Sequence, residues 1–253
     1  MMLQTERTEL ILQQLQLQST VRVGELSQML QVSVDTIRRD LKAMEQDGLI
    51  KCVRGGACLP ESRASFLNFT GREIVHSDLK REASRKALNY IKEGDVVALN
   101  SGTTNTILSQ ELLGLEKKIT VVTNNQAAIS ILMQSPLIQL IAVGGEVDPL
   151  ERSTCGTVCE QEFRQYHPDI AFLSINAVSY NDGFTDFRFH EIGIIQLLAE
   201  TARQVLAVMD SSKIGKCSKK KVLSRTQVDA VVTDDHISDS IREKYREKGI
   251  TIL

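Results

Sequence analysis

The stretch that decides the fold of the first part of this chain is VSVDTIRRDLKAMEQDGLIKCVRGGA, residues 32–57. Ser33 stands at the position of a helix cap, since its hydroxyl can accept a hydrogen bond from a backbone N–H of the following turn. The residues after it have apolar side chains at i, i+4 and i+7, namely Ile37, Leu41 and Met44. This spacing predicts an amphipathic helix over 34–47 with one buried stripe.

The sequence on either side of that helix completes a recognisable order of elements. Gly48 ends the helix, and residues 49–59 predict two short strands joined by a turn at Gly55-Gly56. Upstream, helical periodicity predicts one helix over 4–17 and another over 24–31, the latter with Leu26, Met29 and Leu30 on its apolar face. The predicted elements follow the order helix, helix, tight turn, helix and β wing. This order is typical of a winged helix-turn-helix, which we predict for residues 1–59.

A winged helix-turn-helix places the second helix of the pair in the major groove of DNA, with its N-terminal residues at the base edges. The side chains expected to contact double-stranded operator DNA are therefore Ser33, Asp35, Thr36, Arg38, Arg39 and Lys42, together with Arg54 at the wing turn. Charge alone does not favour DNA, because residues 1–60 hold seven Lys and Arg and seven Asp and Glu. Two arginines on one helix face are usually solvated, so the interpretation depends on the order of elements.

Residues 60–80 show a different pattern and predict a linker. The stretch begins at Pro60 and has no clean period, although Phe66, Leu67 and Phe69 could dock on a neighbouring domain. A helix is expected to start at Lys80. The linker is the expected coupling element between the two domains that it joins.

From residue 95 onward, short β-branched apolar runs alternate with helical segments. The predicted strands are DVVALN (95–100), ITVVTN (119–124), IQLIAVGG (138–145), DIAFLSI (169–175), QVLAVMD (204–210), VDAVVTD (228–234) and GITIL (249–253). The predicted helices between them cover 104–113, 125–134, 190–203 and 237–248. Such alternation implies a parallel sheet buried on both faces. We predict an open, mainly parallel α/β domain over 81–253.

Ligands of open α/β sheets bind beyond the C-terminal ends of the strands. The segment NSGTT after the first strand offers a flexible glycine, three hydroxyls and the N-terminus of a helix, all of which favour an anion such as a phosphate. A tight, capped turn is the alternative. The residues expected to bind a phosphorylated effector are Asn100, Ser101, Gly102, Thr103, Thr104, Asn124, Gly145, Asn176 and Lys213. The lysine run at 219–221 is expected to be a solvated turn.

Several other classes of site have little support. The sequence contains neither GxxxxGK[ST] nor GxGxxG, so no nucleotide cofactor is expected. Cys155 and Cys159 could share a helix face, but two thiolates without a nearby partner make a poor zinc site, so no metal is expected. The chain shows no signal peptide and no run of eighteen apolar residues. We therefore expect a cytoplasmic protein with reduced cysteines and no membrane contact.

The run Thr36-Ile37-Arg38-Arg39-Asp40-Leu41 and the later Arg54-Gly55-Gly56-Ala57 closely resemble the N-terminal signature of DeoR/GlpR-type bacterial transcriptional regulators. The resemblance continues through SGTT, VVTN, GGE, DIAF, DSSKIG and VVTD, and so covers nearly the whole chain. It implies a repressor of a sugar or sugar-derivative operon that forms a homo-oligomer, either dimer or tetramer. It also implies a C-terminal domain similar to ribose-5-phosphate isomerase that binds a phosphorylated sugar intermediate, with the phosphate loop at Ser101–Thr104 and a family lysine at Lys213.

Two positions depart from the family pattern. Asn100 stands where the family usually has Asp before Ser-Gly-Thr-Thr, and Asn176 replaces an Asp in the segment after DIAF. An amide has no titratable carboxylate and cannot act as a general base, although it can bind a hydroxyl. The alternative function, a sugar-phosphate isomerase-like enzyme with an accessory DNA-binding domain, loses support, and we expect a regulator without enzymatic activity.

Overall fold

A computed structural model of the chain describes residues 3–18, 20–59 and 69–253. The chain divides into two compact units, Met1–Ser77 and Asp78–Leu253. Residues 60–68 of the predicted linker, including Phe66 and Leu67, lie outside the described residues.

The first unit is a winged helix-turn-helix, which confirms the predicted fold. Its helices are α1 (Gln4–Leu17), α2 (Val23–Leu30), α3 (Val34–Gln46) and α4 (Phe69–Ile74), and its strands are β1 (Thr20–Arg22), β2 (Lys51–Val53) and β3 (Gly56–Cys58). The strands form an antiparallel sheet in the order β1-β3-β2. One apolar core joins the helices to the wing, and it includes Ile11, Leu12, Leu15, Leu26, Leu30, Ile37, Leu41 and Met44.

The helix-turn-helix is fixed by local backbone features. The Ser33 hydroxyl accepts a hydrogen bond from the Thr36 N–H at 3.1 Å, as expected of a cap. Gly48, with φ +68°, follows α3 in the left-handed conformation. The prediction that Met29 belongs to the apolar face of α2 is wrong, because its side chain is 44 % exposed, whereas Leu26 and Leu30 are buried and Val23 packs against the same core.

The two glycines of the wing turn are required for different reasons. Gly55 has φ +84°, a conformation that side chains rarely tolerate. Gly56 lies so close to β1 that an added Cβ would stand 1.9 Å from the Val21 carbonyl oxygen. The turn therefore needs one glycine for its backbone angle and the next for close packing of the strands, and it leaves Arg54 exposed at its tip.

The described part of the predicted linker is helical. Residues 69–74 form α4, and α5 begins at Ser77 rather than at Lys80. Phe69 is buried, and Val75 packs in the core of the first unit. These apolar anchors explain why a segment without a clean period nevertheless folds. The domain limits at 59, 60–80 and 81 stay a prediction.

The second unit is built on a six-stranded parallel sheet, as predicted. Its strands are β4 (Val96–Leu99), β5 (Ile119–Thr123), β6 (Ile138–Ala142), β9 (Ile170–Leu173), β12 (Gln204–Val208) and β14 (Ala230–Val232), in the order β14-β12-β9-β4-β5-β6. The last predicted strand, GITIL, contributes only an isolated parallel bridge between Val231 and Ile252. Strands β5 and β6 lie on one side of β4, and the later strands β9, β12 and β14 lie on its other side. The strand order therefore reverses between β4 and β9.

Helices cover both faces of this sheet. They are α5 (Ser77–Ala87), α6 (Thr103–Leu112), α7 (Gln126–Leu132), α8 (Gly156–Phe163), α9 (Ile192–Thr201) and α10 (Asp239–Glu247). Successive strand residues enter different cores: in β4, Val97 and Leu99 pack with α5, α6 and α7, whereas Ala98 packs with α8 and α9. This is the arrangement that the continuous apolar strands predicted. None of the described helices is both long and apolar enough to cross a membrane.

Two small antiparallel sheets were not predicted. One is the hairpin of β7 (Glu146–Asp148) and β8 (Ser153–Cys155), and the other joins β10 (Ala177–Ser179), β11 (Gly183–Asp186) and β13 (Lys220–Leu223). The prediction of a solvated turn at 219–221 is therefore wrong in part: these lysines are exposed, but Lys220 and Lys221 belong to a strand paired with β11. The second sheet supplies buried polar groups to the end of the parallel sheet.

Candidate DNA-binding face and effector site

The side chains proposed to contact DNA lie on the outside of the first unit. Ser33, Asp35, Arg38, Arg39, Lys42 and Arg54 are exposed, and Thr36 is half-buried. Ser33 and Thr36 also hydrogen-bond each other at the start of α3, so both contribute to the cap. Arg38 pairs with Asp35 at 3.2 Å, and both side chains are more than two-thirds exposed. The basic face is thus accessible to a DNA duplex.

A buried ion pair sets the position of α3. The Arg7 guanidinium on α1 donates from Nε and Nη2 to the two carboxylate oxygens of Asp40, at 2.6 and 3.0 Å. The side chains are 11 % and 4 % exposed. The hydrogen bond that Arg7 donates to Asp40 raises the pKa of Arg7, although burial opposes it. This pair was not predicted, because Asp40 looks in the sequence like one more charge on a basic helix.

The candidate effector site lies at the point where the strand order reverses. Asn100 follows β4 and Ser174 follows β9, and both are buried. The Asn100 side chain joins the two strand ends: its Nδ2 donates to the Ser174 carbonyl at 3.2 Å, and its Oδ1 accepts from the Ser174 N–H at 2.8 Å. Asn105 on α6 donates to the Asn100 carbonyl and to Asn100 Oδ1, both at 3.0 Å.

The loop at 100–104 leads into a helix that lacks a capping side chain. Gly102 is the N-cap of α6 and has φ +137°. An added Cβ there would lie 2.4 Å from Ser174 Oγ and 2.8 Å from Arg188 Nη1, so the glycine allows close packing against the protein as well as the turn. By contrast, α7 is capped by Asn125, whose Oδ1 accepts from the Ala128 N–H. The N-cap residue of α6 therefore supplies no side-chain acceptor to the positive end of the helix dipole.

Lys213 reaches this helix start. Its ammonium nitrogen lies 3.4 Å from Thr104 Oγ1 and 3.8 Å from the Asp210 carboxylate. The turn that carries it, Ser211–Lys213, is held by the Ser211 N–H, which donates to the buried Asp234 at 2.7 Å. The structure therefore brings together the loop and the lysine that the sequence placed more than a hundred residues apart.

Asn124 and Asn100 both donate to a carboxyl group that was not among the predicted site residues. Asn124 Nδ2 lies 2.8 Å from Glu191 Oε1, and Asn100 Nδ2 lies 3.4 Å from Glu191 Oε2. Glu191 is 1 % exposed. Burial raises its pKa to about 7, despite the opposing effects of Arg188 and of the two amides. The Oδ1 atom of Asn124 is buried and has no hydrogen-bond partner among the described residues.

A buried arginine ties this site to the small sheet. Arg188 donates from Nε and Nη2 to Asp186 at 3.0 and 2.6 Å, from Nη1 to the Ser101 carbonyl at 2.8 Å, and from Nη2 to the Ser174 carbonyl at 2.7 Å. Burial disfavours both charges, but their mutual attraction dominates: it lowers the pKa of Asp186 and raises that of Arg188. The guanidinium thus fixes the ends of β4 and β9 and the backbone of the loop.

Two predicted effector residues stand apart from this cluster. None of the described hydrogen bonds joins Gly145 to the loop; an added Cβ at Gly145 would meet the Cys155 carbonyl at 2.6 Å, so this glycine allows close packing on β8. Asn176 is half-buried, and its backbone N–H donates to Asp186 at 3.0 Å. Among the described hydrogen bonds, those of Asp186 and Arg188 link Asn176 to the loop. Thr103 is buried in the first turn of α6.

Two cysteines lie in the core of the second unit. Cys155 and Cys159 are buried free thiols, and burial raises the pKa of Cys159 to about 12. The described residues contain no group of three or more His, Cys, Asp or Glu side chains placed to hold a metal ion.

Comparison with known proteins agrees with both halves of this description. Residues 7–63 match the family model of the DeoR-like helix-turn-helix domain, and residues 75–235 match that of the DeoR C terminal sensor domain. Among solved structures, ribose 5-phosphate isomerase A from Methanocaldococcus jannaschii is similar at 19 % identity and a TM-score of 0.41, over 55 % of this chain and 54 % of that chain.

Relatives are similar over nearly their full length. The HTH-type transcriptional regulator GolR of Listeria innocua is 30 % identical over 98 % of this chain and 97 % of that protein. The glycerol-3-phosphate regulon repressor of Escherichia coli K12 is 30 % identical over 92 % of each. The chain belongs to the DeoR family and is a DNA-binding transcriptional regulator with a C-terminal sensor domain.

Proposed function

We propose that this regulator is a repressor of a sugar or sugar-derivative operon and that a phosphorylated metabolite bound at residues 100–104 controls it. The observation that carries the proposal is the start of α6, which has no capping side chain and lies with Lys213 Nζ 3.4 Å from Thr104 Oγ1. A helix N-terminus and an ammonium group together favour an anion, because backbone N–H groups and a point charge both stabilise phosphate oxygens. The names of similar repressors, which refer to glycerol-3-phosphate and to a lactose phosphotransferase system, support a phosphorylated ligand.

The rest of the ligand is proposed to contact Asn100, Asn124 and Glu191. These groups offer amide donors and a carboxyl group, and Asn124 Oδ1 is a buried acceptor without a described partner. Sugar hydroxyls both donate and accept, so they can satisfy such a set. Gly145 and Asn176, which the sequence also assigned to the ligand, contribute to this proposal only through packing and through Asp186.

Operator binding is proposed to require two copies of the chain. The described part of the chain has one winged helix-turn-helix, and recognition helices read DNA in pairs that are spaced by a helical turn. A symmetric dimer or tetramer would therefore bind a palindromic or repeated operator. Such a regulator acts where the chromosome lies, and we place it in the cytoplasm, without a membrane contact.

We propose that the protein is not an enzyme, on grounds that differ from the sequence argument. Asn100 and Asn176 stand where two carboxylates are missing, but the carboxyl group of Glu191 lies beside Asn100. The buried carboxyl group of Glu191 favours the isomerase-like alternative, since a pKa near 7 suits a general base. Both of its oxygens accept amide hydrogen bonds, however, and its relatives are regulators. Incubation with ribose 5-phosphate and glucosamine 6-phosphate tests for turnover, and a robust rate would establish the alternative.

A thermal-shift screen of the full chain tests the ligand assignment. Glycerol 3-phosphate, ribose 5-phosphate, glucose 6-phosphate and glucosamine 6-phosphate are each compared with the same compound without its phosphate. A ligand at one hundred times its Kd stabilises the folded state by about 2.7 kcal/mol, which is readily seen as a rise in Tm. We expect at least one phosphorylated compound to raise the Tm when its unphosphorylated partner does not. Equal effects of both members in every pair would contradict the phosphate site.

A further inference from the structure

A residue at the end of the first unit has an unusual backbone conformation that α1 stabilises. His76 lies between α4 and α5 and has φ +56°, in the left-handed region that non-glycine residues rarely adopt. Its backbone N–H donates to Glu9 Oε1 on α1 at 2.7 Å. The next residue, Ser77, begins α5, and the second unit begins at Asp78. The chain therefore leaves the first unit through a turn whose geometry depends on a side chain of α1.

The same helix holds α3. Two residues before Glu9, Arg7 forms the two-bonded ion pair with Asp40 that is described above, at 2.6 and 3.0 Å. Neighbouring apolar residues of α1, Ile11 and Leu12, pack in the core with Val75, which precedes His76. A change in the backbone at 76 therefore acts on α1, and α1 is fixed to the helix that is proposed to enter the major groove.

In the second unit, α5 is fixed to the helix that begins at the proposed phosphate loop. Glu111, in the last turn of α6, accepts from Arg81 Nη1 at 2.6 Å and from Arg85 Nε at 2.8 Å. Arg81 Nη2 also donates to Gln110 at 3.1 Å. Although burial opposes it, this pairing lowers the pKa of Glu111. Ala83 and Ala87 of α5 pack in the same core as Leu108 and Leu112 of α6.

We propose that these contacts form one route by which occupancy of residues 100–104 reaches α3: from α6 through Glu111 to α5, along the chain to His76, and from Glu9 through α1 to Asp40. The route rests on the proposed function and narrows the expected coupling element from residues 60–80 to the turn at His76. It needs only the covalent connection between the units. An anion at the start of α6 shifts that helix, the ion pairs move α5 with it, and the turn at His76 takes up the change in φ and ψ as hinge residues do.

Amide hydrogen exchange in the full chain tests the route without DNA or effector. Glu111→Gln removes the charge that holds Arg81 and Arg85, and we expect the amides of His76 and of α1 to exchange about three- to tenfold faster, as for the loss of one ordinary hydrogen bond. Glu243→Gln is the matched control, because Glu243 also pairs with an arginine, Arg246, at 2.9 Å on the surface of the same unit. Arg85→Gln, which leaves the Arg81 pair in place, is a milder second variant.

Either of two outcomes overturns the route. In the first, Glu111→Gln and Arg85→Gln both raise the exchange rates around Arg81, but His76 and α1 keep the rates of the wild type. In the second, Glu243→Gln changes α1 as much as Glu111→Gln does. Faster exchange confined to α5, His76 and α1 supports it.

A second experiment separates the route from the proposed function. Wild-type protein selects a DNA duplex from a random-sequence library, and glycerol 3-phosphate, ribose 5-phosphate and glucose 6-phosphate are then tested for release of the duplex and for a rise in Tm. Glu9→Ala, which cannot hold the His76 N–H, is expected to keep the rise in Tm but to need at least fivefold more phosphate for release. Glu9→Gln keeps an acceptor oxygen and is expected to behave as wild type.

The results distinguish the two failures. If Glu9→Ala releases the duplex at the same concentration as wild type, the route is wrong and the effector site stands. If none of the three compounds raises the Tm of the wild type, the effector assignment loses its support, and the exchange experiment alone decides the route.

Discussion

Asp186 and Glu191 are two carboxyl groups buried five positions apart, and their pKa values move in opposite directions. Asp186 faces Arg188, whose attraction outweighs the cost of burial and lowers the pKa. Glu191 receives only amide hydrogen bonds, and none of the described cationic side chains forms an ion pair with it. Burial raises its pKa to about 7, although the charge of Arg188 and the two amides oppose the rise. Asp186 holds Arg188, which fixes the loop at residues 100–104. Glu191, with a pKa near neutrality, can change its charge with pH.

Glu191→Gln is expected to remove a pH dependence of stability. The pKa of Glu191 in the folded protein, about 7, lies above its unfolded value of 4.5, so the folded state binds this proton more tightly. The stabilisation is complete below pH 4.5 and is lost as the pH rises through 7, with a total of about 3 kcal/mol. Urea titrations at pH 5 and pH 8 should show a larger fall in the free energy of unfolding for wild type than for the variant. The same fall in both would contradict the burial of an unpaired carboxyl group.

Arg38→Ala is expected to weaken operator binding by about 1–3 kcal/mol if the side chain contacts a base, with little effect on stability. Arg38 is 68 % exposed and pairs only weakly with Asp35 at the surface. Arg246→Ala is the matched control, because it removes an equally exposed arginine that also pairs at i,i+3 but lies in the second unit. Gel-shift titrations on a selected duplex measure the difference, and unchanged binding by Arg38→Ala would exclude this residue from the interface.

At the scale of elements, α3 depends on α1 as much as on its own apolar stripe. Asp40→Asn leaves the Arg7 guanidinium buried without its charge partner, and loss of one member of a buried pair costs about 3–5 kcal/mol. We expect urea titration to show a loss of that order. The double variant Arg7→Met with Asp40→Leu should recover most of it, since well-packed apolar residues often replace such a pair at little cost. A double variant as unstable as Asp40→Asn would show that the contact is specific in shape as well as charge.

Some of these helices and strands could be predicted from the sequence, and others could not. A period of 3.6 predicted the helices of the winged unit, and continuous β-branched apolar runs between helical segments predicted the six parallel strands. The pairs β7–β8 and β10–β11 are built from the stretches EVD, STC, AVS and GFTD, in which polar residues and a glycine interrupt any apolar run. Arg188 and Glu191 follow such a strand instead of a β–α turn of the main sheet, so no rule about strand ends pointed to them. Asp40 was missed because its partner, Arg7, is 33 residues away.

At the scale of the whole molecule, charge does not attract DNA to the chain. The formal net charge is −2, so affinity for a duplex must come from the local face around Arg38, Arg39 and Lys42. Because so few charged side chains supply the affinity for the duplex, a change in the geometry of this face can abolish binding. A modest rearrangement within each copy can therefore release the operator, provided that the effector binds the released arrangement more tightly than the DNA-bound one.

Lys213→Ala is expected to separate DNA binding from its control. Lys213 lies in the second unit, and its ammonium group faces Thr104 and Asp210, so its removal should leave the affinity for a selected duplex unchanged. It should abolish the release that a phosphorylated sugar causes in wild type, because the ammonium charge that stabilises the phosphate is gone. Lys216→Ala, which removes an exposed lysine three residues further on, is the control and should be released as wild type is. Gel-shift titrations with increasing phosphorylated sugar measure both properties, and equal release of wild type and Lys213→Ala would remove Lys213 from the effector site.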